Sequence, residues 1–282
     1  MEWIGLSGQN LWATLLIGIV ILLLSCQRYW EKKITSNSTL EIAEECSMGS
    51  KETQEDAAGA VETAWGTLAV LADGMGKGRS GKMASQVTVK SCIELFTGSD
   101  ITGNLQYYFT QAFNLSNKKI VEYLQGNKGG AVAAAVLVTK GYLYYAAVGD
   151  VKIALLRSRE LIPVNDGQTM QTAAAKGFAQ GLLDREQALA ISQKKCRSNY
   201  IGRDGFKNIE MDIQGIKLVG NDVIIVMTRG LYQCLSWVEL ENYLSDSCSC
   251  EKMAEQIIER FNKTTSQDKG NGSLFVMRYT GR

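Results

Sequence analysis

The sequence predicts an α+β domain of antiparallel sheets with helices packed outside them, and three observations lead there. Short apolar runs of strand length recur after residue 50, two of them joined by Lys140-Gly141, a hairpin signal. Amphipathic helical patterns lie between groups of these runs. The chain has 282 residues, 45% of them hydrophobic and 21% charged, enough to bury one sizeable core.

The first element precedes that domain. From Leu11 to Leu24 the only polar side chain is Thr14, and counting from Ile4 to Ser25 gives the ~20 residues a helix needs to cross a bilayer core. Trp3, Trp12, Tyr29 and Trp30 are placed as interfacial aromatics. Arg28, Lys32 and Lys33 flank the run on its far side, while Glu2 is the only charge before it. That asymmetry predicts a single-pass anchor over residues 1–30 with the rest of the chain cytoplasmic, rather than a cleaved signal peptide. Residues 31–48 are polar without a clear apolar period and read as a juxtamembrane tether, leaving 49–282 as one domain.

Within it, Thr67 to Ala72, Ala131 to Thr139, Tyr142 to Val148, Lys152 to Arg157, Asp222 to Thr228 and Ser273 to Tyr279 read as strands. Ser80 to Phe96, Asn104 to Leu124, Asp184 to Lys194, Trp237 to Leu244 and Glu251 to Phe261 read as helices. The Asp184 segment opens D-R-E-Q, with a capping residue and early acids.

Composition excludes several chemistries. The net charge of +1 points no field toward nucleic acid. Seven cysteines form an odd set without C-x-x-C spacing and read as free thiols. No histidine is present, which removes Ser-His-Asp and Cys-His catalysis and histidine-based zinc sites.

Three blocks in order carry a family signal. Gln54-Glu55-Asp56 is followed by Leu71-Ala72-Asp73-Gly74-Met75-Gly76. Gly141 to Asp150 reads GYLYYAAVGD, and Gly220 to Leu231 reads GNDVIIVMTRGL. With Asn271 and Ser273 near the end, residues 49–281 resemble the PP2C-type (PPM) protein serine/threonine phosphatases of bacteria. The resemblance implies an α-β-β-α sandwich of two antiparallel sheets flanked by helices, here preceded by one transmembrane helix. It also implies aspartates holding Mg²⁺ or Mn²⁺ at one end of the sandwich, hard ions that favour oxygen ligands. Such metals bind phosphate and activate a water for attack on phosphorus.

By this resemblance Asp56 and Asp73 fall on two metal-binding aspartates, and Gly74 on a glycine whose carbonyl reaches a metal through water. Lys51 takes the place of a phosphate-gripping arginine, keeping the charge without the bidentate fork; a solvated surface lysine is an equal reading. Asp150 aligns with a ligand of a weaker third metal, though Gly-Asp between strands is also a common turn. Lys77, Arg79 and Lys82 read as a solvated basic loop or as a phosphate pocket.

The departures bear on function. Arg229 and Gly270 stand where the resemblance places core metal aspartates, and Gln233 replaces a further one. The first two changes alone shift the local charge by about +3, and a guanidinium ~4 Å from a divalent ion is repelled by ~8 kcal/mol at an effective dielectric near 20. The expectation is a pseudophosphatase needing no metal cofactor, in which Arg229 occupies the metal cavity and pairs with Asp73 or Asp56. It would be tethered to a membrane and bind a phosphoprotein, a kinase or a complex partner. The alternatives are an active Mg/Mn-dependent phosphatase with a remodelled site, where Asp268 serves if its loop slips, and a purely structural subunit.

Overall fold

The computed structural model describes residues 39–98, 100–101, 103–194, 197–265 and 269–281. Two five-stranded antiparallel sheets organise them. The first runs β1 (Leu40–Ser47), β10 (Gly272–Tyr279), β9 (Val223–Met227), β6 (Lys152–Arg157), β7 (Glu160–Pro163). The second runs β2 (Asp56–Thr63), β3 (Gly66–Gly76), β4 (Gly129–Thr139), β5 (Tyr142–Val148), β8 (Glu210–Lys217). Lys140 (φ 51°) and Gly141 (φ 77°) both take the left-handed turn that joins β4 to β5, as the hairpin signal predicts.

The continuous apolar runs are explained by burial of both strand faces. Leu71, Val132, Ala134, Val136, Ile224 and Val226 fill the space between the sheets. Their neighbours Val70, Ala72, Ala131, Ala133 and Ala135 turn outward under α1 (Ser80–Gly98) and α2 (Leu105–Leu124). On the opposite side Ile225, Met227, Leu274 and Val276 pack beneath α6 (Trp237–Leu244) and α7 (Cys250–Lys263). The result is the helix–sheet–sheet–helix layering expected. Small residues on β2 and β4 let α1 sit close: a Cβ on Gly59 would lie 2.9 Å from both Val89 Cγ1 and Ile93 Cδ1.

One boundary needs correction. Residues 40–47 belong to the folded domain as an edge strand paired with β10 along its whole length, so the compact unit begins at Leu40 and not at 49. Its half-buried face is Glu41, Ala43, Glu45 and Ser47, so the acids conceal the alternation. Glu41 is satisfied specifically, accepting from the Cys250 N–H at 2.8 Å and pairing with Arg278 at 3.2 Å. The anchor expected over 1–30 lies outside the described residues, among which no helix is long and apolar enough to cross a membrane.

Between β7 and β8 two short helices, α3 (Met170–Ala179) and α4 (Arg185–Ser192), project from the sandwich. Capping boxes at Thr169/Thr172 and Asp184/Gln187 define their starts. They bury only Ala174 between them.

Candidate functional site

Strand ends from both sheets converge on one patch. Asp56 is the first residue of β2 and stands directly opposite Asp73 on β3. Asp150 lies in the connection from β5 to β6, which carries the chain from one sheet to the other. Thr228 and Arg229 follow β9 and open α5 (Arg229–Cys234), while Gly270 and Asn271 lead into β10.

Asp56 is buried. Its Oδ2 accepts from Thr228 Oγ1 (3.0 Å) and Ser273 Oγ (2.8 Å), whereas its buried Oδ1 has no hydrogen-bond partner. Thr228 therefore gives α5 no side-chain cap. Burial first, then the charge of Asp73, pushes the Asp56 carboxyl up, against the pull of the two hydroxyls. Asn271 fastens the preceding loop: its Nδ2 donates to Met48 O and Thr53 O, both at 3.0 Å, and its Oδ1 accepts from the Glu55 N–H at 2.9 Å. Gly74 meets a steric demand of its own, since a Cβ there would lie 2.1 Å from Gly81 O and 2.6 Å from Glu55 O.

The cation on these carboxylates is not the expected one. Arg197 donates through Nη2 to Asp73 Oδ2, and its Nε lies 3.0 Å from Asp150 Oδ1. The second contact is an ion pair off the hydrogen-bond direction, leaving Nε and that Oδ1 without hydrogen bonds. Arg229 instead reaches Asp150, with Nη1 3.5 Å from Oδ2, so its expected pairing with Asp73 or Asp56 is corrected. The reason is positional: Arg229 is fixed at the start of α5, while Arg197 follows α4 and is bridged to Thr169. Burial disfavours the charge on Arg197, but Asp73 and Asp150 outweigh it and hold its pKa up. Burial raises the Asp73 carboxyl even though Arg197 pulls it down. Tyr232 closes the group, its hydroxyl donating to the Asp150 carbonyl at 2.9 Å.

The two arginines form a wall shared by two clefts. One of about 700 Å³ is bounded by Met75, Gly76, Lys128, Tyr200 and the arginine pair. The other, about 640 Å³, is bounded by Asp150, Lys194, Gln233, the start of α3 and the same pair. Lys51 is exposed on the turn after β1 and borders neither. Lys77 and Arg79 are exposed in the turn before α1, Lys77 bordering a separate cleft with Ser80 and Lys128, while Lys82 is exposed on the first turn of α1 itself and not in a loop. Asp268 lies outside the described residues. Arg197 was missed because no periodicity or motif marks its segment; Thr228 was legible only as the end of a strand.

Magnesium or manganese would need several oxygen ligands around one point. The unpartnered Oδ1 of Asp56, a residue paired across the ladder with Asp73, suits a cation. The rest of the donor set does not: a guanidinium sits on Asp73 and Asp150, position 229 is a second one, and Gly270 offers no side chain. Among the described residues no group of three or more His, Cys, Asp or Glu is placed to hold an ion. The residues present do not fit a pair of divalent ions.

A sequence profile described as Protein phosphatase 2C matches residues 47–269. The protein phosphatase PhpP of Streptococcus pneumoniae is 25% identical over 222 residues, 77% of this chain and 88% of that protein. The Streptococcus agalactiae serine/threonine phosphatase structure superposes with a TM-score of 0.74 at 22% identity, covering 85% of this chain and 99% of that one. A structure of the catalytic domain of the phosphatase PstP in complex with two manganese ions superposes with a TM-score of 0.66 at 21% identity, covering 85% and 97%.

Proposed function

This chain belongs to the protein phosphatase 2C family, and from that premise we propose that it is a non-catalytic member, a pseudophosphatase that binds a phosphoprotein, a kinase or an assembly partner. The observation that carries the reading is the guanidinium of Arg197 held between Asp73 and Asp150, with Arg229 beside it. A centre that must gather divalent cations is here neutralised by side chains, and ions arriving there meet like charge. The open clefts on either side of the arginine pair leave room for a ligand. Anchoring by residues 1–30, with the domain on the cytoplasmic side, belongs to the same proposal and rests on the apolar run and its basic flank.

A second reading has one observation in its favour. The unpartnered Oδ1 of Asp56, on the residue paired across the ladder with Asp73, is where an active Mg²⁺- or Mn²⁺-dependent phosphatase with a remodelled site would hold an ion.

The two readings separate in a phosphatase assay of the full chain with excess Mn²⁺. The comparison is an Arg229→Asp/Gly270→Asp variant, alone and combined with Arg197→Ala. A Cβ at position 270 would meet nothing nearer than Gly230 Cα at 4.0 Å, so the aspartate can be accommodated. Activity confined to the substituted chains supports the non-catalytic reading. Activity in the unmodified chain that vanishes on Asp73→Ala overturns it.

A further inference from the structure

We infer that three adjoining clefts form one docking track for an extended acidic segment of a partner protein, leading from Lys77 past Arg229 to Lys194. The inference deepens the non-catalytic reading by naming the kind of partner, and it rests on that reading.

Shared walls join the clefts. Asn127 and Lys128 border both the cleft of about 700 Å³ and a smaller one, about 400 Å³, beside Lys77 and Ser80. Arg197 and Arg229 in turn stand between the larger cleft and the one of about 640 Å³ that reaches Lys194. Each space is of the size that takes a small molecule or a few side chains. One carboxylate or phosphate group would fill little of it.

Charge along the track has one sign. The chain as a whole is balanced, with 30 basic and 29 acidic residues. Yet Lys77, Lys128, Lys194, Arg197 and Arg229 line these clefts, and Asp150 is the one acid among their described lining residues. Asp73 and Asp150 answer Arg197, which leaves the three lysines in excess. Among the described residues none of those lysines has a carboxylate within ion-pair distance, whereas Lys90, Lys118 and Lys263 each pair with a glutamate four residues away on the same helix. Clefts lined by one sign of charge focus the potential they carry. An acidic chain is the complement.

The donor types suit carboxylates spread along a flexible segment. Lysine is a point charge on a long stem and tolerates varied spacing, while arginine adds a planar fork for a single carboxylate. Arg229 holds the middle of the track, its side chain 34% exposed and its Nη1 3.5 Å from Asp150, so its remaining donors can turn to a ligand. Nucleic acid fits less well, since single strands are gripped by rows of stacking rings. Tyr200 already carries Arg203 over its ring at 5.6 Å, and Tyr232 is half-buried with its hydroxyl on the Asp150 carbonyl.

The probe is a fluorescein-labelled peptide of alternating Glu and Ser, about 12 residues and so roughly 40 Å long when extended. Titrated into the full chain and followed by anisotropy, it should bind, and less tightly as salt is raised. The same peptide with Gln in place of Glu should not bind. Lys77→Glu, Lys128→Glu and Lys194→Glu should each weaken binding ~fivefold, and the triple variant should abolish it. Lys252→Glu, on α7, makes the same change in net charge and should leave the affinity unchanged. All four lysines are exposed, so the variants keep the core intact, and circular dichroism verifies it. Equal weakening by Lys252→Glu, or no effect of the three cleft substitutions, overturns the inference. So does preference for an oligothymidylate of matching length, which would assign the clefts to nucleic acid. Each of these outcomes leaves the non-catalytic reading standing, because that reading falls only to phosphatase activity in the unmodified chain.

Discussion

Asp56 and Asp73 are direct cross-strand partners at the end of β2 and β3, and the fold treats them unequally. Like charges placed opposite one another on a ladder destabilise it. Among the described residues Asp56 receives two hydroxyl donors and makes no ion pair, whereas Asp73 receives Arg197.

The first prediction concerns pH. Burial and the neighbouring Asp73 raise the Asp56 carboxyl to about 7. An acid whose folded pKa is raised holds a proton that the unfolded chain has released, so folding is favoured at low pH. That contribution fades as pH rises from the ordinary carboxylate range to about 7. Asp56→Asn retains an acceptor for Thr228 and Ser273 but cannot ionise. Urea midpoints measured from about pH 5 to about pH 8 should show the variant gaining on the unmodified chain as pH rises. A pH-independent difference between them defeats the assignment.

Removal of the two arginines should have unequal consequences. Arg197→Met leaves the buried Asp73 and Asp150 without their main counter-charge and should cost about 3–5 kcal/mol in metal-free buffer. Arg229, a third exposed and 3.5 Å from Asp150, should cost under about 1 kcal/mol on the same substitution. Equilibrium urea unfolding measures both, and equal losses would mean that the arginines share the work.

Asn271→Ala should loosen the loop between β1 and β2. Three hydrogen bonds to Met48, Thr53 and Glu55 disappear together, a cost of about 1–3 kcal/mol. Hydrogen exchange should speed up selectively at Glu55 and its neighbours. Uniformly faster exchange across the domain contradicts this local role.

Gly74→Ala should destabilise the domain by about 3 kcal/mol, because the added methyl group collides with backbone rather than with a movable side chain. The loss should be the same with and without Mn²⁺. A stability change that depends on the metal would instead assign Gly74 to a ligand shell.

The fold was legible in the sequence where burial is two-sided. Runs such as Ala131 to Thr139 and Asp222 to Thr228 are apolar because alternate residues serve different layers, and β4 and β9 appear there. β1 escaped because acids stand on its half-buried face, one of which, Glu41, is satisfied by the Cys250 N–H and by Arg278, contacts that hydropathy does not register. β2 escaped because proximity to α1 demands small residues of low strand propensity. The capping pattern at Thr169 and Thr172 could have revealed α3. At the site, the positions of Asp56, Asp73, Asp150 and Arg229 were readable from motif order. Their pairing was not, because it depends on Arg197, which is 124 residues from Asp73 in the chain.

The strand order also has a consequence for synthesis. β10, the last of the described strands, lies inside its sheet between β1 and β9. The second sheet can pair fully once Lys217 has emerged, but β1 has no neighbour until Gly272–Tyr279 follows. At ~5–20 residues per second, β1 therefore waits on the order of 10–45 s as an unpaired strand on a ribosome-bound chain. Charged residues blunt a strand edge, and Glu41, Glu44 and Glu45 put three acids along this one while it waits.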